Sequence, residues 1–329
     1  MKRVLVLTGY GVSLRARKGM FEVVERGKKV VEVAPVEVEA ILVDTRAASI
    51  TSSAVALAAK LGIDLVFMDQ WQPLARLLPA TYGSTLRLWV RQLAAVKKRR
   101  LEYAKAFARA KVYNQRMAMY DLMKRFPGTR FETKRTRARI KASIDVMTGM
   151  LDAIDAASTV PEVRSREAIA AKAYWKAVAA ALPRELGFSQ RIKRYSGIEP
   201  DPFNVALNIG YACLLREVWR AVFIAGLNPY YGFLHARRPG RMSLVLDLME
   251  EFRAPVVDRP LIMLARRDPK TVLKLRDDDK GAVSVVWKTV SDRLAKQPNP
   301  LKSMILRQAR RLASSLLEGK EYTAYKSKW

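Results

Sequence analysis

Along roughly the first seventy positions the apolar residues come in short β-branched runs, and beyond them a helical periodicity takes over almost completely. Val4 to Leu7, Ser13 to Arg17, Phe21 to Glu25, Val30 to Val33 and Val36 to Val43 read as strands, separated by turn signals such as Gly9-Tyr10-Gly11 and Gly27-Lys28. Turns at intervals of about eight to ten residues between such runs predict hairpins packed as a sandwich. Ile50 to Leu61 predicts a helix capped by Thr51 or Ser52, and Ile63 to Met68 a short buried strand. Pro73, Pro79 and the Tyr82-Gly83-Ser84 break predict a hinge, with a boundary inside residues 75–88. The expected fold class is α+β: a small N-terminal β-sandwich domain over residues 1–80, then a larger all-α domain over 81–329.

In the helical part, Leu86 to Tyr120 suits one or two long helices. Pro161 is placed as a first-turn residue, after Ser158 or Thr159 as cap, for a helix reaching about Leu182. Asp201-Pro202 opens a helix over Phe203 to Ala225, on which Asn204, Asn208 and Tyr211 form a polar row, either a buried network or a substrate-facing wall. From Ser243 to Phe252 the stripe Val245, Leu248, Met249 and Phe252 predicts an amphipathic helix. Asp247, Glu250 and Glu251 fall opposite, within roughly 60° of one another's central member at about 100° per residue, so an acidic face is expected.

Charge changes the picture. Sixty Lys and Arg against 31 acids give +29 at pH 7, far beyond what solubility needs, and point to a polyanion, most commonly nucleic acid. Basic runs recur at Lys97 to Arg100, at Lys124, Arg125 and Arg130, over Lys134 to Lys141, at Arg191, Lys193 and Arg194, and along the tail to Lys326 and Lys328. A membrane span is not expected: the most apolar stretch, Ile209 to Leu227, is broken by Arg216, Glu217 and Arg220. The leading MKRVLVLTG is too short for a signal peptide, so a cytoplasmic location is expected. Cys213, the single cysteine, reads as a core residue and excludes an intrachain disulfide. Few Asn and Gln beside many Arg hint at a thermophilic source.

The single histidine, His235, excludes HExxH, Cys2His2 and paired-histidine sites, and neither a GxxxxGK[ST] loop nor a GxSxG elbow is present. It stands in a loop between the Asn228-Pro229 turn and the Pro239-Gly240 break, from which it can fold back toward the acidic helix. One imidazole with carboxylates suits Mg2+ or Mn2+. A solvated acidic face with a core histidine accounts for the same residues equally well. Arg237, Arg238 and Arg241 lie between His235 and the acids, where a phosphate would approach. Glu167 shares a helix face with Ala170, Ala171 and Tyr174, and by spacing alone it reads as a surface glutamate.

Three blocks carry a resemblance: DPFNVALNIGYACLL at 201–215, AGLNPYYGFLH at 225–235 and GRMSLVLDLMEEFRAPVVD at 240–258. In order and spacing they resemble the CRISPR-associated adaptation integrase and endonuclease family, the first-numbered Cas protein, and the likeness spans nearly the whole chain. The resemblance implies a catalytic metal, Mg2+ or Mn2+, held by Glu167, His235 and Glu250, with Asp247 as a nearby acid. It overturns the surface reading of Glu167, although Ala168 stands where many relatives carry Gly. Glu162 is the competitor, set aside because it sits beside Pro161 at the helix start. The implied activity is insertion of captured DNA fragments into a repeat array by 3′-hydroxyl attack on a phosphodiester, with hydrolysis when water attacks instead, and it should fall as His235 becomes protonated. Double-stranded DNA and DNA ends, a homodimer formed through the β domain and a small second CRISPR adaptation protein are the implied partners. Candidate DNA contacts are Arg237, Arg238, Arg241, Asn204 and Tyr174. The alternatives are a non-catalytic basic DNA-binding protein and a transposon-type integrase of the same fold.

Overall fold

The structure, a computed structural model, describes residues 3–69, 72–77, 84–125, 133–192, 197–298 and 300–327. The expected hinge residues Pro79, Tyr82 and Gly83 and the basic residues Arg130, Lys193, Arg194 and Lys328 lie outside them. Eight strands come first: β1 (Arg3–Leu7), β2 (Val12–Arg17), β3 (Met20–Glu25), β4 (Lys28–Val33), β5 (Val38–Val43), β6 (Ser49–Ile50), β7 (Asp64–Asp69) and β8 (Gln72–Leu77), with helix α1 (Ser52–Lys60) between β6 and β7. They form two four-stranded sheets, ordered β1-β5-β7-β8 and β4-β3-β2-β6. Leu7, Ile41, Val43 and Leu65 from one sheet share a core with Val12, Leu14, Phe21, Val23 and Val33 from the other, closed by Ala54 and Ala58 of α1.

Hairpins account for only part of this. The β2-β3 and β3-β4 turns place Lys18-Gly19 and Arg26-Gly27 at positive φ, the primed-turn geometry that follows the strand twist. The pairs β1-β5, β5-β7 and β2-β6 are instead parallel. Parallel neighbours need a crossover, and α1 supplies it between β5 and β7. Pro73, expected as part of a hinge, lies in β8, an edge strand, opposite Met68 and beside a register irregularity in β7, both settings in which a sheet tolerates proline.

The helical part comprises α2 (Ser84–Lys98), α3 (Arg100–Arg125), α4 (Lys134–Ala156), α5 (Val160–Ala181), α6 (Pro202–Ile224), α7 (Ser243–Glu250), α8 (Arg259–Arg267), α9 (Pro269–Leu273), α10 (Lys280–Ala295) and α11 (Leu301–Glu318). Asp201 caps α6 through Asn204 N–H, and Asp279 caps α10 through Ala282 N–H. Thr159 caps α5 at Glu162 N–H, while Glu162 accepts from Ser158 N–H and Thr159 Oγ1, a capping box that fully occupies the competing glutamate. Helix α3 packs against α4, α5 and α7, and α6 against α7, α10 and α11. The outer face of the β1-β5-β7-β8 sheet rests on Phe223 and Ile224 at the end of α6. Arg310 of α11 also pairs with Glu39 of β5.

Residues Arg253–Asp258 form a π-helical segment between α7 and α8. Pro255 has no N–H to offer the carbonyl of Glu251, four residues earlier, and that carbonyl accepts from Asn114 Nδ2 of α3 at 2.8 Å instead. The wider turn brings Arg253 back beside Glu250, with Nε 3.0 Å from Oε1.

Candidate catalytic centre

The loop carrying His235 is built from its backbone outward. Gly226, at φ +75, terminates α6: its N–H reaches Phe223 O, and Leu227 N–H reaches Val222 O. Gln92 of α2 then brackets the loop, donating to the carbonyls of Asn228 and Tyr231 while accepting from Asn228 N–H. Gly232 is pressed against the start of α7, so that an added Cβ would lie 2.6 Å from the Ser243 carbonyl carbon and 2.7 Å from Asp247 Oδ2. Arg100 and Arg164 donate to the carbonyls of Phe233 and Leu234 at 2.9 and 2.6 Å.

Asp247 organises the end of the loop. Its Oδ2 accepts the N–H groups of Phe233 and Leu234 at 2.5 and 3.0 Å, and its Oδ1 accepts His235 N–H at 2.8 Å. The same Oδ1 lies 2.7 Å from His235 Nδ1, so Nδ1 carries the proton and Nε2 is left with its lone pair. Nε2 faces Glu250, 3.8 Å from Oε1. Glu167 of α5 arrives from the other side, and Lys111 of α3 joins the two glutamates: its Nζ is 2.6 Å from Glu167 Oε1 and 2.7 Å from Glu250 Oε2.

The structure thus gathers Glu167, His235 and Glu250 and fixes Asp247 behind the histidine. Among the described residues, no three carboxylate, histidine or cysteine side chains already stand in a coordinating arrangement; the glutamates converge on an ammonium. Their chemistry still fits a hard divalent cation. The carboxylate–histidine pair leaves Nε2 free to bind, and buried Glu250 Oε2, though close to Lys111, makes no aligned hydrogen bond. Glu167, His235 and Glu250 are the side chains that could hold Mg2+ or Mn2+. Burial disfavours the Glu250 carboxylate, but Arg253 and Lys111 outweigh it and hold its pKa down to about 2. Burial likewise opposes the Lys111 ammonium, and Glu167 with Glu250 raises its pKa above the ordinary lysine value.

The acidic face expected on Ser243 to Phe252 requires correction: Asp247, Glu250 and Glu251 are all buried, and each turns to a different partner. Glu251 accepts from Tyr322 Oη and Tyr325 N–H, both at 2.6 Å, and from Gln308 Nε2 at 3.2 Å. Burial pushes its pKa up to about 7 against those donors. A folded-state pKa raised from 4.5 makes the native state the better proton binder, so this contribution is full below pH 4.5 and fades as pH rises through 7. Urea unfolding should therefore show the wild type losing up to ~3 kcal/mol between pH 4.5 and 8 that Glu251→Gln does not lose. The neutral amide introduced by that substitution can satisfy the site, because Tyr322 Oη can accept from its NH2 group. Equal pH slopes in the two proteins would contradict this assignment.

Two candidate DNA contacts, Asn204 and Tyr174, are buried in this DNA-free structure. Asn204 is fully buried: its Oδ1 accepts from Arg191 Nη1 and Ile192 N–H, and its Nδ2 donates to Gln190 O and Asp201. Tyr174 is fully buried as well, and its hydroxyl donates to Asp258 Oδ2 at 3.1 Å, while Tyr211 donates to Oδ1 at 2.5 Å. The polar row forms a network around Arg191, with Asn204 and Tyr211 buried and Asn208 half-buried, and the Arg191 guanidinium lies over the Tyr211 ring. Asn204 and Tyr174 expose no side-chain surface here. Arg237 and Arg238 are exposed and Arg241 is half-buried beside Arg164. Reasoning from sequence missed Lys111 and Arg253.

The profile of the family described as "CRISPR associated protein Cas1" matches residues 5–284. The CRISPR-associated endonuclease Cas1 1 of Saccharolobus solfataricus is 39% identical over 327 residues, covering 99% of this chain and 85% of that protein. Among solved structures, a casposase bound to an integration product superposes with a TM-score of 0.79 at 24% identity, covering all of both chains. A chain of a partial Cas6-RT-Cas1–Cas2 complex superposes at 0.72 and 18%, again over both full lengths. At those identities the two structural likenesses speak for the fold.

Proposed function

We propose that this chain, which belongs to the CRISPR-associated Cas1 family, is a metal-dependent DNA integrase and endonuclease that inserts captured DNA fragments into a repeat array. The observation that carries the reading is the arrangement around His235: Asp247 fixes the imidazole with Nε2 toward Glu250, and Glu167 and Glu250 meet on one cationic position. Mg2+ or Mn2+ bound by Glu167, His235 and Glu250 would supply Lewis-acid stabilisation of the phosphoryl oxygens and ease deprotonation of the attacking hydroxyl. The chain's own residues do the rest. Asp247 keeps the Nδ1 proton in place, Arg100 and Arg164 hold the loop, and Arg237, Arg238 and Arg241 offer positive charge to the DNA backbone without reading bases.

Residues 1–80 would act as the dimerising β domain and 81–329 as the catalytic, DNA-binding domain. Support for dimerisation lies in Val30 and Val31 on edge strand β4 and in Val36, all exposed. Solved structures of the same fold include a Cas1–DNA complex and a Cas1–Cas2 complex, which supports DNA and a Cas2-type protein as partners. A cytoplasmic site of action accompanies this reading; among the described residues no helix is long and apolar enough to cross a membrane.

The test is strand transfer of a short duplex into repeat-containing DNA, with and without metal and the second protein. Alanine at Glu167, His235 or Glu250 is expected to cut transfer and cleavage by at least about 10²-fold with DNA binding retained. Chemistry that survives all three substitutions would sink the proposal. A wild type that binds DNA but never joins or cuts it would favour the non-catalytic reading.

A further inference from the structure

Lys111 is an element of the centre that metal chemistry does not call for, and it stands between the two glutamates. It projects from α3 between Phe107 and Ala108 on one turn and Asn114 and Gln115 on the next, all buried. Its ammonium lies within 2.7 Å of an oxygen of each glutamate. A divalent cation binds carboxylate oxygens at about 2.1 Å, so one that took both of these oxygens would lie almost on top of the lysine nitrogen. Two cations cannot share that spacing in a buried site. Arg253 is not the competitor: its Nε faces the other Glu250 oxygen and its guanidinium lies over the Tyr211 ring at 4.6 Å. Lysine, with a compact charge on a flexible stem, can leave where an arginine fork would resist.

We propose that Lys111 is a built-in competitor for the metal: its ammonium neutralises Glu167 and Glu250 while no divalent cation is bound, and it must withdraw before one can enter. The inference rests on the metal reading of the preceding subsection. It makes metal affinity a difference between two cations, with the lysine holding the two glutamates together in the metal-free protein.

Mn2+ binding to the full-length wild type, Lys111→Met, Lys111→Gln and Glu250→Ala, followed by the electron-spin signal of free Mn2+ and by thermal unfolding with and without the ion, tests it. Lys111→Met and Lys111→Gln should bind Mn2+ at least about tenfold more tightly than the wild type. Both should melt lower than the wild type without metal and gain more when Mn2+ is added. Equal or weaker Mn2+ binding in the folded Lys111 variants, with wild-type binding lost in Glu250→Ala, overturns the competitor role and leaves the metal site standing. Binding that is absent from every protein, or indifferent to Glu250, overturns both.

Discussion

Asp247→Ala is expected to lower folding stability by roughly 3–5 kcal/mol and to reduce strand transfer at least about 10²-fold. The carboxylate is fully buried and accepts three consecutive backbone N–H groups, from Phe233, Leu234 and His235, besides fixing His235 Nδ1. Alanine leaves all three amides dry and unpaired and frees the imidazole to rotate. Asp247→Asn separates the two roles. Its single oxygen can serve the Phe233 and Leu234 amides or the His235 groups, while its NH2 must confront the other pair, so stability should fall less than in the alanine variant and activity nearly as far. Denaturant unfolding beside the strand-transfer assay measures both. Full activity in Asp247→Ala would show that His235 needs no partner at Nδ1.

Gly232→Ala should destabilise the fold by about 2–4 kcal/mol and disable the same chemistry, although it adds a single methyl group. The obstacle is the Ser243 backbone together with the Asp247 carboxylate, neither of which is the free end of a flexible side chain. Relief requires the 228–235 loop to lift from α7, and the Asp247 hydrogen bonds lift with it. Gly149, exposed in the middle of α4 with nothing within 4 Å of its added Cβ, is the control: alanine there should stabilise by about 0.5–1 kcal/mol. Matched thermal midpoints for the two variants would refute the steric account.

Six of the eight described strands, all but β6 and β8, were legible in the sequence because alternation is local. Their parallel partners were not, because pairing is decided by what α1 carries across the sheet. Pro73 was misread for a related reason: a proline excluded from a central strand is acceptable at an edge, and only the assembled sheet shows that β8 is one. His235 and the acids on Ser243 to Phe252 stood out by rarity and spacing. Their burial did not, since Tyr322, Tyr325, Gln308 and Lys111 arrive from far along the chain. Glu167 became visible only through family resemblance, half-hidden on a helix that alternates small and polar residues. Lys111 was lost among sixty basic residues, yet a trace existed: Phe107, Ala108, Asn114 and Gln115 flank it at helical spacing and are all buried, which no solvated lysine requires.

That the chain has one histidine, and that it sits at the centre of the site, makes the protein its own spectroscopic probe. Nitrogen-15 labelling of histidine gives a single pair of ring resonances with no assignment problem. The Nδ1 member reports the bond to Asp247 and the Nε2 member reports whatever occupies the space before Glu250. Titrating metal or DNA ends against those two lines would watch the site fill, in the unmutated protein, one nitrogen at a time.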